Sequence, residues 1–554
     1  MSNRNLIITG FGGTGKSVVG RMVAERLGRE FVDSNDLVEA RAGRTIPEIL
    51  AQEGETYFRA VEAEVCRELS HGRGWVVATD GWTLGLPDNR AAVESGGLVV
   101  CLHADVPTLI ERLGGGDSQP VLENVERRAG QSSPEVKAPL GAGLAAGDWQ
   151  EWLKELLPQR QPIYRSFPLQ VDTSRLTKTQ VSERVLSLWE SFSETAPPYA
   201  IPVMAPGEDY AVLIGERLLD HLGPLVGGLG QWTTVALVTD EVVGPLHADQ
   251  AVSSLEGTGL RVARCSMPAG EAHKTMDTVS DLYRQFLEAG LDRSGLVLAL
   301  GGGVVGDVVG FAAATFMRGL PLVQIPTTLL AMVDSSVGGK TGVDLPAGKN
   351  LAGAFKQPAL VVVDPGVLAT LPPADFRAGL AEVVKAGVIG SAELFGRLEG
   401  GQALPPQYAQ ADLAWILRQA VAVKVAVVEA DPYEGGQRAV LNLGHTFAHA
   451  FEMLSDYQLR HGEAVAIGMA VATRLAVDCS RCPPDVGGRI VALLDRLGLP
   501  TSPPAYEPEA VWAAMTSDKK KQGKRLRFVL PLHIGQVGVF DDVPREAVLA
   551  ALKR

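Results

Sequence analysis

The chain has little cysteine and no surplus of positive charge, and each shortage removes a class of protein. Five cysteines (Cys66, Cys101, Cys265, Cys479 and Cys482) stand among 554 residues. Their odd number and scatter exclude a disulfide framework and suit a reducing compartment. Cys479 and Cys482 form a lone CxxC with no second pair at zinc-ribbon spacing, so they read as structural thiols. A formal charge of −13 argues against a general nucleic-acid binder, whose surface must be basic. Small anions remain possible ligands, since they need only a local cluster of Lys and Arg. No apolar run reaches the roughly 18 residues of a membrane span. The opening MSNRNLIITGFGG leads straight into a strand and a glycine loop, without a signal peptide's apolar region and cleavage site. These absences predict a cytoplasmic protein with no membrane or nucleic-acid partner.

What is present is ordinary globular composition, 46% hydrophobic and 21% charged. The length exceeds the roughly 250–300 residues at which a single core stops growing. The first segment alternates short apolar strands (Leu6–Thr9, Trp75–Thr79, Leu98–Leu102, Leu169–Asp172) with helical stretches such as that from Lys16, the pattern of a parallel α/β sheet. SFSETAPPYAIP, over Ser191–Pro202, breaks the periodicity with three prolines and reads as a linker. A second α/β run follows, with strands at Ala211–Ile214, Thr233–Thr239, Leu260–Ala263 and Leu296–Leu300 and a helix at Met276–Ala289. Beyond Pro372 strand signals fade and long helical patterns take over, as in Leu413–Glu429 and Ala464–Val477. The expected organisation is an α/β kinase-type domain over 1–180, a linker over 181–203, a nucleotide-type α/β domain over 204–370 and a mostly helical domain over 371–554.

Gly10-Phe-Gly-Gly-Thr-Gly-Lys16-Ser17 fits GxxxxGK[ST] between a strand and a helix. Glycines let backbone N–H groups converge on phosphate oxygens at a helix start. Gly12, Gly13 and Gly15 would line that cradle, Lys16 would reach the β/γ-phosphates, and the Ser17 hydroxyl would ligate Mg²⁺ with ATP. With Phe31-Val-Asp33-Ser-Asn35, Gly54-Glu55-Thr-Tyr-Phe58-Arg59 and Arg160-Gln-Pro-Ile-Tyr164, the stretch Asn5–Ser174 resembles shikimate kinase. The resemblance implies that Asp33 sits near Mg²⁺ and the reacting hydroxyl, that Arg59 and Arg160 clamp the shikimate carboxylate, and that Asn35 faces substrate. Guanidinium forks pair bidentately with carboxylates, which suits that role. Three positions depart from the family pattern. Its DxD is Asp33-Ser-Asn35, its triple glycine is Asp80-Gly81-Trp82, and its lid arginine is Gln119, with Arg127 or Arg128 as substitutes nearby. They leave a second reading open, a nucleotide sensor, a scaffold or a kinase for another small substrate.

Farther on, Leu296–Leu300 ends in Gly301-Gly302-Gly303-Val-Val-Gly306-Asp307. Glycines after a strand admit a pyrophosphate to a helix start. Arg318, Lys340, Lys349, Lys385 and Lys424 lie among glycine and apolar residues, where a lysine points into a site more often than to solvent; together they suit a polyanion. Of nine histidines, three crowd one window, His445, His449 and His461. Glu382, among apolar neighbours, would be costly to bury unpaired. A carboxylate and two imidazoles leave open positions on Zn²⁺ or Co²⁺, as catalysis requires. Spacing leaves open which two histidines bind.

Residues from Gly215 to Gly535 resemble 3-dehydroquinate synthase through GGGVVGDVVGFAAATFMRG, IPTTLLAMVDSSVGGKTGVDLPAGKN, GLAEVVKAG, AVLNLGHTFAHAFE and HGEAV. The resemblance implies metal ligands Glu382, His445 and His461, with His449 handling a proton. It implies NAD held by Asp240, Glu271, Lys274, Gly301, Gly302, Gly303, Asp307, Thr327, Thr328 and Asp334, with Lys340 and Lys349 beside it. Substrate contacts would fall on Arg318, Lys340, Lys349, Asn350, Lys385, Lys424, Arg438 and Asn442, with Lys519 or Lys520 completing a phosphate site. It further implies a homodimer through this part. Related readings are another sugar-phosphate cyclase or a metal-dependent polyol dehydrogenase.

Overall fold

The computed structural model describes residues 2–114, 149–206, 208–401, 410–520 and 526–553. The chain divides into two compact units. The first comprises Met1–Pro202, Leu219–Thr233 and Gln250–Arg261; the second comprises Val203–Leu218, Thr234–Asp249 and Val262–Arg554.

The first unit holds a parallel sheet in the order Phe31–Asp33, Val76–Ala78, Asn5–Gly10, Gly97–His103, Gln170–Asp172. Every residue of its central strand, Asn5–Gly10, is buried. That follows from helices covering both faces of a parallel sheet, and it explains the unbroken apolar run. Gly10 ends the strand at φ +132°, where a Cβ would lie 2.0 Å from the Leu102 carbonyl oxygen, so no other residue fits. Helix Lys16–Leu27 starts one residue after Gly15 and closes on Gly28, a left-handed cap. A capping box, Thr177 with Gln180, starts helix Lys178–Phe192. Regular structure thus reaches into the expected linker: that helix runs to Phe192 and strand Tyr199–Val203 follows. Pro197 and Pro198 mark its irregular part, while Pro202 lies within the strand.

His103 ends its strand with 19% of the side chain exposed, 4.0 Å from Asp172. Burial and the Arg165 charge push its imidazole down to about 4, against the pull of Asp172. In the unfolded chain a histidine titrates near 6.5. The unfolded chain therefore takes the proton first, and stability held by neutral His103 is full above that value and lost as pH falls toward 4. The free energy of unfolding of the first unit should fall by roughly 2 kcal/mol between pH 6.5 and 4.5. His103→Gln should flatten that slope. Equal slopes in both proteins would refute the account.

In the second unit six parallel strands run in the order Tyr210–Ile214, Leu360–Val363, Leu322–Pro326, Leu296–Gly301, Val235–Asp240, Val262–Met267. Leu322–Pro326 and Leu360–Val363 escape sequence patterning because short continuous apolar runs suit a strand or a buried helix equally. An antiparallel hairpin joins Lys340–Leu345 to Gly348–Phe355. Helices dominate after Pro372, as the composition predicts: Pro373–Gly390, Gln410–Ala430, His445–Leu454 and His461–Asp478. One hairpin, Phe528–His533 with Gln536–Phe540, interrupts them, its turn made at Gly535 with φ +86°. Helix His461–Asp478 is apolar nearly all round and almost wholly buried, a core helix rather than a surface one. Among the described residues no helix is long and apolar enough to cross a membrane.

Candidate functional site

Three helices of the second unit bring one carboxylate and two imidazoles together. Glu382 projects from Pro373–Gly390, His445 opens His445–Leu454 and His461 opens His461–Asp478. One donor atom from each lies within 4.8 Å of the others. Glu382 Oε1 is 3.6 Å from Nε2 of both histidines, too far for hydrogen bonds, and is buried without one. A zinc or cobalt ion with donors at about 2.0–2.1 Å holds a tetrahedral set roughly 3.4 Å apart. The donors are types that such ions take, and an orphaned buried oxygen aimed between two imidazole nitrogens fits one.

The charges support the same reading. Burial would raise the Glu382 carboxyl, but the adjacent Lys385 ammonium holds it down at about 2. Burial and Lys385 push His445 down to about 3, leaving a neutral imidazole with a lone pair to give. His445 Nδ1 lies 3.2 Å from the Leu443 carbonyl, which directs Nε2 to the cluster. His461 behaves oppositely. Burial opposes its protonation, yet Glu382 and Glu452 together push it up to about 10. A metal binding there must displace a proton. His449, exposed on the same helix, lies 5.6 Å from His445, centroid to centroid.

Next to this cluster, Lys424 Nζ donates to Asp334 Oδ1 at 2.5 Å, and Lys385 Nζ is 3.8 Å from the same oxygen. Asp334 is thereby held well below the usual carboxylate range despite its burial, while burial lowers Lys424. Arg438, only 2% exposed, donates to the carbonyls of Pro432 (3.0 Å) and Gly338 (3.3 Å). Gly338 has φ +100°, and a Cβ there would meet the guanidinium at 2.4 Å, so this glycine admits the arginine. Asn442 and Arg318 are exposed, the latter in a left-handed conformation at φ +73°.

The glycine turn lies at the C-terminal edge of the sheet. Gly302 caps helix Gly303–Thr315, and Cβ atoms on Gly302 and Gly303 would crowd Thr328 and Ser335. Lys274 Nζ donates to Asp307 Oδ2 and Asn350 Oδ1, both at 2.6 Å. Burial pushes Asp307 up to about 6 even with that partner. Asn350, at φ +55°, donates its backbone N–H to Asp344 Oδ1. Lys349 pairs with Glu271 at 3.0 Å and sits 4.2 Å over the Tyr457 ring, while Lys340 pairs with Glu434 at 2.8 Å. Asp240 accepts the backbone N–H groups of Val242 and Val243. Thr328 Oγ1 accepts the N–H of Ala331, and Thr327 Oγ1 is buried without a partner. Lys519 and Lys520 end helix Pro508–Lys520; their side chains lie outside the described residues.

In the first unit, Gly13 and Gly15 take φ +81° and +94°, the left-handed turns of the phosphate loop, while Gly12 is half-buried beside them. Ser17 Oγ donates to Asp33 Oδ2 at 2.8 Å, joining the two residues expected around Mg²⁺. Lys16 Nζ reaches the Phe11 carbonyl at 3.1 Å, and Asp33 also caps helix Ser34–Ala42 through the Asn35 N–H. Arg59 pairs with Glu62 at 2.8 Å and Glu55 at 3.4 Å. Arg160, 6% exposed, stands 4.7 Å over Trp82 and 5.8 Å over Phe11. The Trp82 indole, at the position where the resemblance expects glycine, is thus in contact with one of the two expected carboxylate clamps. Gln119, Arg127 and Arg128 lie outside the described residues.

With both constellations placed, similarity to known proteins decides the family. The 3-dehydroquinate synthases of Nostoc punctiforme and Synechococcus sp. CC9605 are each 46% identical to the chain, over 357 and 363 residues. Those stretches take in 98% of each relative and 64% and 65% of this chain. The chain belongs to the 3-dehydroquinate synthase family. The family models of the synthase's N-terminal and C-terminal parts match residues 264–378 and 379–521, and that of shikimate kinase matches 12–190. It is therefore a bifunctional enzyme of the shikimate pathway, kinase domain first and synthase second. Among solved structures, 2-epi-5-epi-valiolone synthase of Streptomyces hygroscopicus, with NAD⁺ and Zn²⁺ bound, is 32% identical with a TM-score of 0.56, over 62% of this chain and 96% of its own. A 2-deoxy-scyllo-inosose synthase, complexed with carbaglucose-6-phosphate, NAD⁺ and Co²⁺, is 25% identical with a TM-score of 0.59, over 64% and 99%.

Several groups at the two sites escaped sequence reasoning. Glu434 and Glu452 contact Lys340 and His461. Glu62, 3% exposed, holds Arg59 and accepts from Thr83 Oγ1. Arg112 donates to the Gly13 carbonyl and to Thr173. A single acid or arginine on a helix, or in a turn as Glu434 is, resembles ordinary surface charge. Only Glu452 carried a signal, an acid inside the apolar run Ala450-Phe-Glu-Met-Leu454.

Proposed function

We propose that the second unit converts 3-deoxy-D-arabino-heptulosonate 7-phosphate to 3-dehydroquinate and phosphate, and that the first phosphorylates shikimate with ATP. The observation that carries the first reading is the donor set Glu382, His445 and His461 beside the Asp334–Lys385–Lys424 charge cluster. A metal ion and NAD, when bound, supply polarisation of a substrate hydroxyl and reversible uptake of hydride. The chain's own groups do the rest. Lys340, Lys349, Arg318 and one of Lys519 and Lys520 take the substrate phosphate, offsetting the charge that grows as it leaves. Lys424, Arg438 and Asn442 take the carboxylate, and Asp334 gives up its bond to Lys424 when a substrate acid arrives. Lys385 holds Glu382 ionised, and His449 receives or returns a proton at the site rim. Asp240, Glu271, Lys274, Asp307, Thr327, Thr328, Asp334 and the glycines 301–303 hold the dinucleotide.

For the kinase, Arg59 and Arg160 would bind the shikimate carboxylate, Asn35 would face substrate, and Asp33 would accept the proton of the attacking hydroxyl. The synthase part would form a homodimer, and the enzyme would work in the cytoplasm. Full-length enzyme given NAD and zinc or cobalt should release phosphate from the heptulosonate and form 3-dehydroquinate. Given Mg-ATP, it should release ADP only when shikimate is present. No cyclisation under the first condition would overturn the synthase reading. ADP release indifferent to shikimate, or ATP binding without turnover, would replace the kinase with a sensor.

A further inference from the structure

Glu452 lies on the same helix as His445 and His449, at i+7 and i+3 from them, so the three share one face. It is 6% exposed, and a buried carboxylate without a partner is costly. Its Oε1 lies 3.2 Å from His461 Nδ1. The opposite nitrogen of that ring, Nε2, lies 3.6 Å from Glu382 Oε1. One imidazole thus bridges two buried carboxylates, one on each nitrogen. The two contacts differ in kind. The first is a hydrogen bond in which Nδ1–H donates; the second is too long for one and belongs to the donor set.

We infer that Glu452 is a positioning residue for the metal site, holding the proton of His461 on Nδ1 so that the Nε2 lone pair is turned on the ion. The inference rests on the metal triad of the proposed function and adds to it a residue that touches neither metal nor substrate. In a metal-binding histidine the hydrogen bond at one nitrogen selects the tautomer and strengthens the other as a ligand. His445 has a neutral acceptor for this purpose, the Leu443 carbonyl. His461 has a charged one. Its ring is also the more exposed, 34% against 11% for His445, so less protein packs around it to fix its orientation.

The test uses full-length enzyme stripped of metal. Zinc affinity is read by competition with a chromogenic chelator, and the cobalt form by its visible absorption. Glu452→Ala removes the acceptor, and zinc should bind about 10–100-fold more weakly, with a shifted cobalt spectrum. Glu452→Gln preserves shape and guards against a variant that does not fold. It removes the charge, and its amide N–H₂ can donate to Nδ1, which would put the ring proton on Nε2 where the ion belongs. It too should weaken zinc at least about fivefold. Wild-type affinity in either folded variant overturns the inference. Glu382→Gln runs in parallel: if it keeps the metal, the triad itself falls, whereas loss of metal there with full affinity in the Glu452 variants sinks only the positioning role.

Discussion

Glu382→Gln should strip the metal from the synthase unit and lower its turnover by roughly 10³-fold or more, while shikimate-dependent ADP release stays within about twofold of wild type. The substitution keeps the shape of a buried side chain, so packing is spared. What it removes is the negative charge that faces the two imidazoles, and it leaves Lys385 with Asp334 as its remaining acid at 3.8 Å. Metal content, phosphate release and ADP release measured on one preparation check the prediction. Full synthase activity with a full complement of metal would remove Glu382 from the site.

Lys16→Ala should do the reverse. The phosphate loop loses its one ammonium, and ADP release should fall at least about 100-fold, as removal of one well-placed charge-stabilising donor does elsewhere. Phosphate release from the heptulosonate should be unchanged. Because Lys16 already reaches a loop carbonyl, Phe11 O at 3.1 Å, the alanine variant also loses a tie across the loop. Its melting temperature without ATP therefore belongs beside the kinetics. Retained shikimate-dependent turnover in Lys16→Ala would show that the loop does not serve catalysis.

Much of both sites is legible in order along the chain because the residues that carry them are local. The phosphate loop is eight consecutive residues between a strand and a helix, and the glycine turn at 301–303 has the same context. Strand existence was legible where apolar runs met turn residues, less so at Leu322–Pro326 and Leu360–Val363, and not at all for the hairpin at 528–540. Its outer strand, Gln536–Phe540, has no fully buried residue and therefore no strong pattern.

What the sequence determined by itself was the inventory: an intact phosphate loop, a glycine turn after a strand, cations in apolar company, three histidines near a buried-looking acid. Composition and short-range spacing suffice for that, because backbone geometry over a few residues depends on those residues. Only the tertiary structure decided the company each group keeps. Which histidine nitrogens face Glu382, that Asp334 stands against two lysines, that Arg160 lies over Trp82, and that Glu452 backs His461 are facts of helices and strands far apart in the chain. Side-chain pairing across such distances is set by how whole elements pack, and no local pattern encodes it.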